Sequence, residues 1–139
     1  MAQQRRSVFG DTAYWVALID PRQSLHQSAV AASQLLGPTL IVTSDLVLVE
    51  LLNFFCELGP YWRGIAVTLV DQLRQATSVS IEPQTRDLFT EGLQLYRRRR
   101  DKGYSLTDCT SMVIMERLGI GEVLTSDHHF QQEGFTILL

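Results

Sequence analysis

Ser7-Val8-Phe9-Gly10-Asp11-Thr12 is the stretch whose reading decides the fold. An apolar run stops at a carboxylate, and a second apolar segment, Ala13 to Ile19, starts at once. That pattern predicts a strand, a tight turn at Gly10-Asp11 and a helix. Open α/β sheets bind ligands just beyond the carboxyl ends of their strands, so Asp11 is expected at such an edge. The pattern returns at Val123-Leu124-Thr125-Ser126-Asp127, again an apolar run ending in Asp with a helical stretch after it. Two strand-terminal carboxylates at one sheet edge point to a cation site, which Glu50 and Asp108 would complete.

Between these two runs, strand-like and helix-like segments alternate. Asp20-Pro21-Arg22 marks a loop, and Ser24 is placed to cap a helix running to Leu36, stopped by Gly37-Pro38. Leu40-Ile41-Val42-Thr43 reads as a β-branched strand. Leu46 to Cys56 then reads as a helix that is apolar almost all round and hence largely buried, with Glu50 as its one charge. Gly59-Pro60 breaks the chain before an amphipathic helix from Tyr61 to Gln75, and Val79-Ser80-Ile81 is a third strand. A long helix from Thr85 to Lys102 would place Leu88, Phe89, Leu93, Leu95 and Tyr96 in the core. Ser105 opens the next helix, which buries Met112, Val113, Met115 and Leu118 and ends at Gly119 as C-cap. A short helix from His128 to Glu133 and a last strand from Phe135 to Leu139 close the chain. Such alternation predicts an α/β fold: three layers, helices on both faces of a mostly parallel central sheet.

The bulk numbers restrict the function classes. A chain of 139 residues is expected to form one domain, 1–139, with a sizeable core. Hydrophobic residues make up 45%, mean hydropathy is +0.04 and the net charge is −3, so charge alone makes it no polyanion binder. A nucleic-acid role needs a local basic patch, or cations to neutralise phosphate. Cys56 and Cys109 have no C-x-x-C partner and read as reduced core residues of a cytoplasmic protein. The basic start, Met1 to Arg6, precedes an apolar run broken at Asp11. That run is too short for a signal-peptide core, and none reaches membrane-spanning length.

Each acid has a bland reading beside the functional one. Glu50 lies within Leu, Val and Phe sequence and cannot be buried unpaired, so it needs a cation: an arginine such as Arg63 or Arg86, or a metal ion. Ser105-x-x-Asp108 matches a capping box. Asp11 and Asp127 could each serve a turn or an N-cap. Together, however, all four fall where a parallel sheet gathers residues at one edge. Oxygen ligands without a histidine or cysteine cluster suit Mg²⁺ or Mn²⁺ rather than Zn²⁺. Such ions assist phosphodiester cleavage.

The chain resembles the PIN-domain ribonucleases, in particular the VapC-type toxins of toxin–antitoxin pairs. The pieces that carry the resemblance are Phe9-Gly10-Asp11-Thr12-Ala13, Thr43-Ser44-Asp45-Leu46-Val47-Leu48-Val49-Glu50-Leu51, Tyr104-Ser105-Leu106-Thr107-Asp108-Cys109 and Leu124-Thr125-Ser126-Asp127-His128-His129-Phe130. The resemblance implies a Mg²⁺- or Mn²⁺-dependent endoribonuclease whose metal is held by Asp11, Glu50, Asp108 and Asp127, with Thr12 and Thr125 assisting through their hydroxyls. It further implies products with 5′-phosphate and 3′-hydroxyl ends, a homodimer, and a small antitoxin that blocks the site with a basic side chain. Cys109 stands where the family more usually has a small alanine, which reads as packing.

Arg97, Arg98 and Arg100, with Lys102, are candidate RNA-binding residues, and the flanking Tyr96 and Tyr104 could stack on unpaired bases. Their alternative is a solvated helix end where cations favour the dipole. His128 and His129 read as surface residues at a helix start, with proton shuttles as the alternative, and His26, Trp15, Trp62, Phe54 and Phe55 as structural. Rival functions lack their residues. An aspartyl phosphatase needs a second acid at position 13, which is Ala13, and a phospho-receiver needs a lysine after a late strand. Two alternatives keep the fold: a PIN nuclease for RNA processing without an antitoxin, and a non-catalytic interaction module.

Overall fold

The computed structural model describes residues 5–139, so Met1 to Gln4 of the basic start lie outside the described residues. Strand β1 (Ser7–Gly10) leads into α1 (Thr12–Ile19) and α2 (His26–Leu35). Then follow β2 (Leu40–Ser44), α3 (Asp45–Phe55), α4 (Pro60–Gln75), β3 (Val79–Glu82), α5 (Arg86–Arg98) and α6 (Leu106–Leu118). The chain finishes with β4 (Glu122–Leu124), α7 (His128–Gln132) and β5 (Thr136–Ile137). The five strands form one parallel sheet in the order β3-β2-β1-β4-β5. Helices flank it in two groups, α1 to α4 and α5 to α7.

This order creates the site. The chain builds outward from β1 to β3 and then returns to place β4 on β1's other side, so β1 and β4 flank a topological switch point. Gly10 pairs with Leu124, and the backbone N–H of Asp11 donates to the Leu124 carbonyl at 3.2 Å. The residues that follow the two strands, Asp11 and Thr125 to Asp127, therefore share one edge. Phe9, Val8, Val123 and Leu124 are fully buried, as expected of central parallel strands covered on both faces. Gly10 is held by close packing: a Cβ there would lie 2.8 Å from the Trp15 ring. Trp15 in turn donates through Nε1 to the Gly10 carbonyl at 3.3 Å, tying α1 back over the strand it leaves.

Several details depart from the sequence reading. Helix α2 starts at His26 rather than after Ser24. The preceding turn is set by the buried Asp20, whose carboxylate takes Arg22 and Gln23 and is held down to about 2 by the Arg22 guanidinium. Helix α5 stops at Arg98, and Arg99 to Lys102 form a turn ending at Gly103, whose φ of +70° suits glycine. Helix α3 is not buried all round. Leu51 and Phe55 are buried, but Val49, Leu52, Phe54 and Cys56 face solvent, because α4 covers one side only. Phe89, Tyr96 and Leu118 are likewise exposed, since α5 and α6 meet through Leu88, Gly92, Leu95 and Met112 instead. Cys109 is buried as expected, whereas Cys56 is an exposed free thiol. No helix among the described residues is long and apolar enough to cross a membrane.

Candidate active site

Four acids from four separate pieces of chain come near one another beyond the β1 and β4 ends: Asp11 feels the charges of Asp108 and Glu50, and Asp108 that of Asp127. Asp11 is at the N-cap position of α1 yet makes no capping bond; its Oδ2 accepts from the Thr125 hydroxyl at 2.9 Å. That hydroxyl also accepts from the Asp127 backbone N–H at 3.1 Å, so one buried threonine organises both strand-end acids. Glu50, on the second turn of α3, accepts from the Thr12 hydroxyl at 2.6 Å. Asp108 completes the capping box of α6: it accepts from the Ser105 backbone N–H at 3.1 Å while Ser105 accepts from the N–H of Asp108 at 3.0 Å. Asp127 caps α7 by accepting from the His129 N–H at 2.9 Å. The capping expectations for Asp108 and Asp127 therefore hold together with their place in the cluster.

Each carboxylate is thus anchored by at least one hydrogen bond, and the Thr12 backbone N–H and the Ser105 hydroxyl add to the hold on Asp11 and Asp108. Rigid carboxylates are what a hard cation requires. Their charges are mutually felt. Asp11 is 5% exposed, and burial pushes its carboxyl up to about 7; Asp108 and Glu50 push the same way, against the Thr125 hydroxyl. Burial also raises Asp108, with Asp127 adding to the rise and the capping bonds of Ser105 opposing it. No arginine or lysine among the described residues forms an ion pair with any of the four. Arg63 instead donates to the Cys56 carbonyl, and Arg86 lies over Phe89, so neither meets Glu50. Acids left without an arginine or lysine partner are costly without a counter-ion, and four carboxylates are the hard oxygen donors that a divalent cation takes. Among the described residues, however, only Asp108 and Asp127, with His129, bring ligand atoms close enough together to share one.

His129 corrects the sequence reading, which took it for a surface residue ahead of a proton shuttle. Its Nδ1 is buried without a hydrogen bond, 3.3 Å from Asp127 Oδ1 and 3.5 Å from Asp108 Oδ2. One ligand atom each from Asp108, Asp127 and His129 lies within 4.8 Å of the others. The sequence signal was the i, i+2 spacing from Asp127, which a helix start turns back toward its own cap. His128, by contrast, is exposed and contacts Gln131, and His26 bonds the Ala17 carbonyl; both behave as the sequence predicted.

The basic run divides around its helix end. Arg99 forms a bidentate pair with Glu133 at 2.8 and 2.9 Å, and the Tyr104 hydroxyl joins the same carboxylate at 3.1 Å. Arg97 and Arg100 line a cleft of ≈ 660 Å³ with Leu93, Tyr96, Gly103 and Tyr104. Arg98 faces a different cleft, among Glu91 and Glu116, and Lys102 lies 3.9 Å from Asp101. Tyr104 is 4% exposed and cannot offer its face to a base, unlike Tyr96 at 50%.

A PIN domain family model matches residues 8–135, a span that includes all four acids. The chain belongs to the PIN domain family. Within it, the chain is 31% identical over 133 residues to the 23S rRNA-specific endonuclease VapC20 of Mycobacterium tuberculosis, covering 92% of this chain and 95% of the relative. The crystal structure of that VapC20, described as a sarcin-ricin loop cleaving toxin, superimposes with a TM-score of 0.83 at 27% identity, over 93% and 96% of the two chains. FitAcB from Neisseria gonorrhoeae shares the PIN fold, with a TM-score of 0.69 at 16% identity, over 95% and 96% of the chains.

Proposed function

We propose that this PIN domain, taken as one nuclease unit over residues 1–139, is a divalent-cation-dependent endoribonuclease and the toxin of a toxin–antitoxin pair in the cytoplasm. The observation that carries the reading is the set of four anchored carboxylates at the sheet's switch point, none of them paired with an arginine or lysine among the described residues. Similarity to an RNA endonuclease along nearly the whole chain gives it its substrate class. Asp11, Glu50, Asp108 and Asp127 would hold Mg²⁺ or Mn²⁺. Bound there, the ion supplies Lewis-acid chemistry, making a water more acidic and offsetting charge on the phosphate.

The chain's own residues do the positioning. Thr12 and Thr125 fix Glu50 and Asp11 through hydroxyl hydrogen bonds, so the carboxylates are oriented before substrate arrives. Ser105 does the same for Asp108 through the capping box. His129, directed between Asp108 and Asp127, is placed to add a nitrogen ligand or to hold a proton beside them. Arg97 and Arg100 are in position to take RNA phosphates, and we assign Arg98 and Lys102 a weaker, long-range share.

The exposed apolar stripe of Val49, Leu52 and Phe54 on α3, with Tyr61 and Val67 on α4, supports a homodimer contact. The unpaired acids support an antitoxin that inserts a basic side chain. The test is cleavage of a structured RNA in Mg²⁺ or Mn²⁺. Wild-type protein should cut, EDTA should stop it, and Asp108→Asn should lose the activity. Equal cutting by wild type and Asp108→Asn would refute the assignment.

A further inference from the structure

The Arg97–Arg100 cleft and the acid cluster are separated by one side chain. Gly103 and Tyr104 line the cleft, and both border His129. A Cβ on Gly103 would lie 3.9 Å from His129 Nε2, and the Tyr104 ring centroid is 5.3 Å from that of His129. His129 Nδ1, on the ring's other side, faces Asp108 and Asp127. The wall between them is firm, because Glu133 on α7's end clamps Arg99 and Tyr104 together.

The cleft's chemistry is uneven. At ≈ 660 Å³ it falls within the range of small-ligand clefts, about 300–1,000 Å³. No acid lines it, and of its three arginines only Arg99 has an ion-pair partner among the described residues. Arg97 and Arg100 stay exposed beside the half-exposed ring of Tyr96 and the half-buried Leu93. The neighbouring cleft of ≈ 410 Å³ is the contrast: its arginines meet Glu91, Glu116 and Glu133, and two of them form ion pairs. Two uncompensated guanidiniums, an aromatic face and an apolar floor are the groups that hold an unpaired nucleotide.

We infer that this cleft is a subsite for an unpaired nucleotide flanking the cleaved phosphodiester, with Tyr96 stacking on its base and Arg97 and Arg100 holding its phosphates. The inference rests on the endoribonuclease reading and adds a condition to it: the substrate must present a splayed base beside the cut, as loops and bulges do. Leu93 supplies the apolar floor, and Arg99 is excluded as a phosphate ligand because Glu133 already occupies its fork.

The experiment measures binding without cleavage, using the full chain in EDTA and fluorescein-labelled eight-residue oligouridylate and oligoadenylate, read by anisotropy. A matched oligonucleotide with abasic residues serves as the second probe. Tyr96→Ala should weaken binding of the normal oligonucleotides about tenfold and leave the abasic one unaffected; Tyr96→Phe, which keeps the ring, should restore the affinity. Arg97→Ala and Arg100→Ala should each flatten the dependence of log affinity on log salt by about 0.7. No loss in Tyr96→Ala, or equal loss with the abasic probe, overturns the subsite. Stronger competition by an oligoglutamate peptide than by RNA overturns it in favour of a protein partner. The nuclease reading is scored separately in Mn²⁺. Cleavage by wild type with no binding defect in Tyr96→Ala sinks the subsite alone, whereas base-dependent binding without cleavage sinks the nuclease alone.

Discussion

Replacing Asp11 by asparagine should make the cation-free protein more stable while destroying its site. The carboxyl of Asp11 is pushed from 3.8 up to about 7, chiefly by burial, with Asp108 and Glu50 adding to the rise. Its folded-state value lies above its unfolded one, so the folded chain binds this proton more tightly. The contribution to stability is therefore fully present below pH 3.8, falls as pH rises, and levels off above pH 7. A displacement from 3.8 to about 7 corresponds to a loss of roughly 4 kcal/mol at pH 8, and about 1–2 kcal/mol at pH 5. Asparagine cannot ionise, keeps an acceptor for Thr125, and escapes that loss. In EDTA, urea denaturation should show Asp11→Asn more stable than wild type by a few kcal/mol at pH 8 and by much less at pH 5. Saturating Mn²⁺ should close most of that gap, adding about 2.7 kcal/mol to wild type at a hundred times the dissociation constant and little to the variant. A variant no more stable than wild type at pH 8 in EDTA would refute the reasoning.

Three further outcomes follow from single contacts. Thr125→Val removes the hydroxyl that serves both Asp11 and the Asp127 N–H, and should cost about 1–3 kcal/mol at pH 8, measured by urea denaturation in EDTA. Gly92→Ala places a Cβ 2.7 Å from the Thr110 hydroxyl where α5 packs on α6. The thermal midpoint should fall by the equivalent of about 1–3 kcal/mol, and most of it should return when Thr110→Ala is added. Native alkylation followed by mass spectrometry should modify Cys56 alone, because Cys109 is buried and its thiol is raised to about 11.

The acidic edge was legible because its signals are local. An apolar run ending in an acid reports a strand end whatever surrounds it, and two such runs, at Asp11 and Asp127, came together once the sheet was taken as parallel. The capping box at Ser105 and Asp108 was legible for the same reason. What stayed hidden depends on tertiary cover. The apolarity of α3 says that something must cover it, yet α4 covers only the Leu51 and Phe55 side and leaves Val49, Leu52 and Phe54 open. Tyr96 and Tyr104 look alike in sequence; only the Glu133 clamp shows that one is a wall and the other a free face. His129 was hidden because its neighbours in space, Asp108 and Tyr104, arrive from another helix.

Four acids, each 19 or more positions from the next along the chain, are held here to share one cation site. Crystals soaked in Mn²⁺ and measured for anomalous scattering test it most directly. The expected result is a peak among the carboxylate oxygens of Asp11, Glu50, Asp108 and Asp127, about 2.0–2.2 Å from the nearest of them, and its loss in Asp11→Asn crystals. Saturating Mn²⁺ with no peak among these carboxylates would contradict it.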